Sequence, residues 1–169
     1  MARTLVIGFG NDMRRDDGAG RIAAEKIAAA HDDVDLLSLA QLTPEIAEVI
    51  SRYQSVVFLD ASVKAERVEV SEVHPGSGCR RGSARPMSHT LSPQQVLDLA
   101  VELYGKCPWR VLLVEFPVSD LEFGCDLSPS TQSMVEEFVE SFSAVRMRES
   151  GPAEVQVQET SVSPSPARP

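Results

Sequence analysis

Asp16 and Asp17 stand side by side after a glycine pair, Gly8 and Gly10, and immediately before Gly18-Ala19-Gly20. Carboxylates at the mouth of a glycine loop either cap the helix that follows or face a ligand. A third acid, Asp60, closes the apolar run Val56-Val57-Phe58-Leu59 and is followed by Ala61-Ser62. So close to a core an unpaired carboxylate is costly, and a partner or a ligand is expected beside it. His89 follows the long polar stretch from His74 to Pro86, which can fold over the same edge. Two carboxylates and one imidazole suit a borderline divalent metal that keeps open positions. From spacing alone, Asp17 serves equally well as an acid answering a helix dipole. Glu115, beside Phe116-Pro117, is either a further pocket acid or half of a structural ion pair, and His31 and His74 read as surface residues.

Several other chemistries fall away. A dinucleotide loop would need a third glycine at position 13, where the chain has Met13, and an acid after the second strand, where it has Leu39-Ala40. A net charge of -9 and a pI near 4.8 argue against nucleic acid and anionic membrane as partners. Cys79, Cys107 and Cys125 form no C-x-x-C pair and are odd in number, so reduced thiols in a cytoplasm are expected rather than a disulfide frame or a zinc knuckle. The N-terminal apolar run is broken at Gly8, which argues against a signal peptide, and no apolar run reaches the ~20 residues of a membrane span.

The acids must be held by the elements around them. Leu5-Val6-Ile7 reads as a buried strand, and the alanine-rich run to Ala30 as a helix with Ile22, Ala23, Ile27 and Ala30 on one face. Val34 to Leu39 makes a second strand. Thr43-Pro44-Glu45 opens a helix to about Ser51 with Thr43 as N-cap, and Ser55 to Asp60 makes a third strand. Arg67 to Val73 alternates and follows Asp60 too closely for a crossover helix, so it is expected to be antiparallel at a sheet edge. Ser92-Pro93-Gln94-Gln95 is a capping box that starts a helix to about Tyr104, with Val96, Leu97, Ala100 and Leu103 inward. Arg110 to Phe116 is the last strand. Ser128-Pro129 opens the last helix, with Met134, Val135, Phe138, Val139 and Phe142 at helical spacing. Strand and helix alternate, as in a parallel sheet covered on both faces. With strand order 2-1-3, Asp16-Asp17 and Asp60 meet beyond the carboxyl ends of the strands, at the topological switch point between strands one and three.

These residues resemble the hydrogenase maturation endopeptidases, which trim a C-terminal peptide from the large subunit of [NiFe] hydrogenases after nickel insertion. The likeness lies in Gly8-x-Gly10-Asn11, Asp16-Asp17-Gly18-x-Gly20, Phe58-Leu59-Asp60-Ala61 and His89, then Leu127-Ser128-Pro129, and spans about residues 4 to 147. It implies a three-layer α/β/α sandwich around a mostly parallel five-stranded twisted sheet with one antiparallel strand. It also implies that Asp17, Asp60 and His89 are both the metal ligands and the catalytic set. The local reading leaves Asp16 to cap the first helix. The nickel would arrive with the hydrogenase large-subunit precursor, since this ligand set must borrow others, and no organic cofactor is implied. One block differs. Where the family usually has Asp-Gly-Gly-Thr, this chain has Ala40-Gln41-Leu42-Thr43, which retains only the threonine and leaves open which precursor is recognised.

The expectation is therefore a cytoplasmic, monomeric endopeptidase with one domain over residues 1–148. The alternatives are a metal-dependent peptidase or amidase that keeps its own zinc, and a non-hydrolytic metal-sensing factor in hydrogenase assembly. Residues 149–169 are rich in Pro, Ser, Gln and Glu and lack aromatic residues, so they cannot bury enough apolar surface to offset their ordering entropy. Deleting them should leave the melting temperature and activity nearly unchanged; a fall of many degrees on thermal denaturation would contradict this.

Overall fold

Side chains alternate across the central strands, and that alternation sets the layers in the computed structural model, which describes residues 3–76 and 91–147. The strands are β1 (Thr4–Phe9), β2 (Val34–Leu39), β3 (Ser55–Ser62), β4 (Glu69–Glu72) and β5 (Arg110–Pro117). They form one sheet in the order β2-β1-β3-β5-β4. All the pairings are parallel except that of β4 with β5. Of the β1 residues, Val6 points to one side, where α1 (Ala19–Ala30) and α4 (Pro129–Met147) cover it with Ala23, Ile27, Val135, Phe138 and Phe142. Leu5 and Ile7 point to the other, where α2 (Ile46–Ile50) and α3 (Pro93–Tyr104) supply Ala47, Ile50, Val96, Leu97 and Ala100. The result is the expected three-layer sandwich.

Three details differ from the sequence reading. The regular part of α2 starts at Ile46 with no side-chain cap, because Thr43 and Pro44 form a preceding turn through their carbonyls to the N–H groups of Ile46 and Ala47. Leu103 is 60% exposed although Val96, two turns earlier on the same face, is fully buried, since the last turn of α3 is exposed all round. The antiparallel strand is shorter than expected, four residues with all side chains exposed, although the Val73 N–H still donates to the Val111 carbonyl at 2.9 Å. The Ser92–Gln95 capping box is present as read. No helix among the described residues is long and apolar enough to cross a membrane. His89 and the segment from 149 to 169 lie outside the described residues.

Two glycines let α1 and its approach sit against the strand ends. Gly10 has φ 137°, and a Cβ there would lie 2.1 Å from the Asp17 carbonyl oxygen. Gly20 is in the first turn of α1, where a Cβ would come within 2.2 Å of the Leu59 carbonyl oxygen and 3.0 Å of the Asp60 nitrogen. Both obstacles are backbone and cannot swing aside. Gly20→Ala should therefore cost at least about 2 kcal/mol, despite the better helix propensity of alanine, as measured by urea denaturation. A neutral or stabilising Gly20→Ala would mean that α1 does not press on β3 this closely.

Candidate functional site

β1 and β3 are neighbours in the sheet: from β1 the chain passes through α1 on one face to β2 on one side of β1, then through α2 on the opposite face to β3 on the other side. The gap between their carboxyl ends is the switch point at which ligands settle in open α/β sheets. From the β1 side a turn of 3-10 helix, Arg15–Gly18, carries Asp17. The Asp17 N–H donates to the Arg14 carbonyl at 3.0 Å, and its Oδ2 accepts the Asn11 N–H at 3.0 Å. From the β3 side comes Asp60, whose Oδ1 accepts the Ala61 N–H at 2.9 Å. Glu115 of β5 is in register with Asp60 on the adjacent strand.

Burial raises the Asp60 carboxyl to about 7; the Ala61 N–H opposes this, and the nearby charges of Asp17 and Glu115 add to it. None of the ion pairs among the described residues includes Asp17, Asp60 or Glu115. Glu115 is thus better read as a pocket acid than as half of a salt bridge. A site of this composition favours a cation or a proton.

Asp17 and Asp60, read from sequence as ligands, are brought together; His89 is among the residues not described. Among those that are, no group of three His, Cys, Asp or Glu side chains is arranged to hold a metal ion. Asp16 does not cap α1: the N-cap position is Gly18, with no side-chain hydrogen bond. The Asp16 side chain is instead buried against Ser128 and Asp120, which belong to a wall made by the connection between β5 and α4. That wall is tied to the Asp17 loop by an Arg15–Asp120 ion pair, by Arg15 N–H to the Gly124 carbonyl at 2.8 Å, and by Gly124 N–H to the Met13 carbonyl at 3.0 Å. Asp120 and Ser128 escaped the sequence reading as partners of Asp16, because more than a hundred positions separate them from it.

In the block that differs from the family pattern, Ala40 and Gln41 are exposed, while Leu42 is fully buried in the core layer of α2 and α3. Its carbonyl accepts the Leu91 N–H at 3.4 Å. A cavity of about 600 Å³ among Arg3, Asp35, Arg52, Tyr53 and Gln54 lies where the strands begin, at the opposite end of the sheet from the acids. There the Asp35 carboxylate is already engaged by Arg3 at 2.7 Å and by the Tyr53 hydroxyl at 3.1 Å.

No protein-family model matches the sequence, and no curated protein does. Solved structures do share the fold. The hydrogenase maturating endopeptidase HybD from E. coli matches with a TM-score of 0.65 at 21% identity, over 85% of this chain and 92% of that one. A hydrogenase 2 maturation peptidase from a Thaumarchaeota archaeon gives 0.61 at 24%, over 87% and 99%. The [NiFe] hydrogenase maturation protease HycI from Thermococcus kodakarensis gives 0.61 at 24%, over 85% and 92%. The chain therefore has the α/β fold of these maturation endopeptidases over nearly the whole of their length.

The raised Asp60 carboxyl makes stability depend on pH. Between its ordinary value of 3.8 and about 7 the folded protein holds a proton that the unfolded chain has released, so stability falls as pH rises through that window. Asp60→Asn removes this penalty. In the metal-free protein it should melt several degrees above the parent at pH 7.5, converge with it near pH 4, and flatten the slope between. Parallel melting curves for the two proteins across that range would contradict the burial of a charged Asp60.

Proposed function

We propose that this chain is an endopeptidase that removes the C-terminal peptide of a hydrogenase large-subunit precursor after nickel insertion, using Asp17, Asp60 and His89 to engage the nickel carried by the precursor. The observation that carries this reading is the meeting of Asp17 and Asp60 at the β1/β3 switch point, two acids in none of the ion pairs among the described residues. The shared fold of the maturation endopeptidases supports it.

The chemistry follows from the state of the acids. Before substrate arrives, Asp60 holds its proton up to about pH 7, because burial disfavours its charged form and the charges of Asp17 and Glu115 add to that. A divalent ion presented by the precursor reverses that preference: Asp60 ionises, and its carboxylate and that of Asp17 become oxygen ligands. His89 supplies the nitrogen ligand. Cleavage then depends on the precursor bringing its own nickel, which ties processing to metal insertion. The bound ion orients the tail, and a metal in this position can polarise the scissile carbonyl or a water. The protein acts as a cytoplasmic monomer, in which Cys107 and Cys125, both free and exposed, stay reduced.

The test is a mobility-shift assay of precursor with and without nickel, incubated with the parent, Asp60→Asn and Asp17→Ala. The parent should shorten only the nickel-loaded precursor. Both variants should fold by circular dichroism and leave the precursor unprocessed, a loss of at least about 100-fold. Full activity in a folded Asp60→Asn would defeat the assignment of the site, and cleavage of nickel-free precursor would defeat the dependence on nickel.

A further inference from the structure

Asp16 is 0% exposed, whereas its neighbour Asp17 is half-buried. Its Oδ1 accepts the Ser128 N–H at 2.7 Å, and its Oδ2 accepts the Ser128 hydroxyl at 2.9 Å and the Asp120 N–H at 3.4 Å. In return the Asp16 N–H donates to the Asp120 carbonyl at 3.2 Å. Ser128 in turn starts α4: its hydroxyl accepts the Thr131 N–H at 3.4 Å and its carbonyl the Gln132 N–H at 2.9 Å. The buried charge of Asp16 thus rests at the positive end of a 19-residue helix rather than on a basic side chain.

Burying a carboxylate costs more than burying an apolar side chain of similar size, so a plain packing role does not account for an aspartate here. What the carboxylate adds is direction. Three donors from two residues of the connection between β5 and α4 fix both the depth and the rotation of the peptide that joins Asp16 to Asp17. The next residue is held from the other side: its Oδ2 by the Asn11 N–H at 3.0 Å, and its carbonyl by the close approach of Gly10. Arg15, with φ 43°, turns the chain into this segment.

We propose that Asp16 is a positioning residue: through Ser128 and Asp120 it locks the Arg15–Gly18 turn, so that Asp17 keeps its ligand geometry. The inference rests on the reading of Asp17 as a ligand of the precursor's nickel. Asp16 itself touches neither the metal nor the tail.

The experiment compares the processing rate of nickel-loaded precursor by the parent, Asp16→Asn, Ser128→Ala and Asp17→Ala. A core variant at Ile50, remote from the site and chosen to melt at the same temperature as Asp16→Asn, controls for lost stability. The amide of Asn11, followed by NMR in the metal-free protein, reports on the Asp17 carboxylate without any turnover. Asp16→Asn should process about 10- to 100-fold more slowly than the Ile50 variant and shift the Asn11 amide, because whichever way the amide turns its NH₂ group faces a backbone N–H, that of Ser128 or that of Asp120. Ser128→Ala loses one donor of three and should fold, slow processing to a smaller extent, and shift the same amide in the same direction. If Asp16→Asn does not fold, Ser128→Ala decides by the same two readings. Parent-like processing and an unmoved Asn11 amide, with Asp17→Ala inactive, would overturn the positioning role alone. An active Asp17→Ala would overturn the site reading, and this inference with it.

Discussion

Like charges held together at the end of a buried sheet are the constraint on which the rest of this structure depends. Asp60 follows the apolar run of β3, two residues before the strand ends, Asp17 approaches from the next strand's loop, and Glu115 stands in register beside Asp60. Left to itself such a cluster would spread apart or draw in a basic partner. Here the backbone prevents the first, and no described ion pair supplies the second. Asp60, buried at this edge and with those charges nearby, keeps its proton to about pH 7. A group balanced at that point exchanges its proton for a metal ion without a large penalty near neutrality.

Holding the acids in place draws on both core layers. On one face, α1 presses on the end of β3 through Gly20, so the loop bearing Asp17 cannot recede from Asp60. The same face carries α4, whose first turn receives the Asp16 carboxylate, so the helix that seals the core also anchors the loop. At the far end of α4, Arg110 donates to the carbonyls of Arg146 and Val145, and Arg146 pairs with Asp33 at 2.8 Å. Both ends of this helix are therefore fastened to the sheet layer or to the loops that leave it.

The layers were legible in the sequence because strand runs such as Val56 to Leu59 and the repeat Val135, Phe138, Phe142 encode burial locally. The meeting of Asp17 and Asp60 was legible too, since the switch point follows from strand order. The role of Asp16 was not. Its position before a helix suggests a cap, yet its partners come from a loop at the other end of the chain, and no local pattern encodes a contact with Ser128. Leu103 shows the same limit on a smaller scale, because helical spacing identifies a stripe but not how far the partner layer extends beneath it.

The central claim is that Asp17 and Asp60 form one cation site. Anomalous diffraction at the nickel edge from crystals grown with Ni²⁺ tests it most directly. The account predicts a single strong peak bridging the carboxylates of Asp17 and Asp60, with the His89 imidazole as a further ligand. Nickel bound elsewhere, with both carboxylates well ordered and no peak beside them, would contradict it.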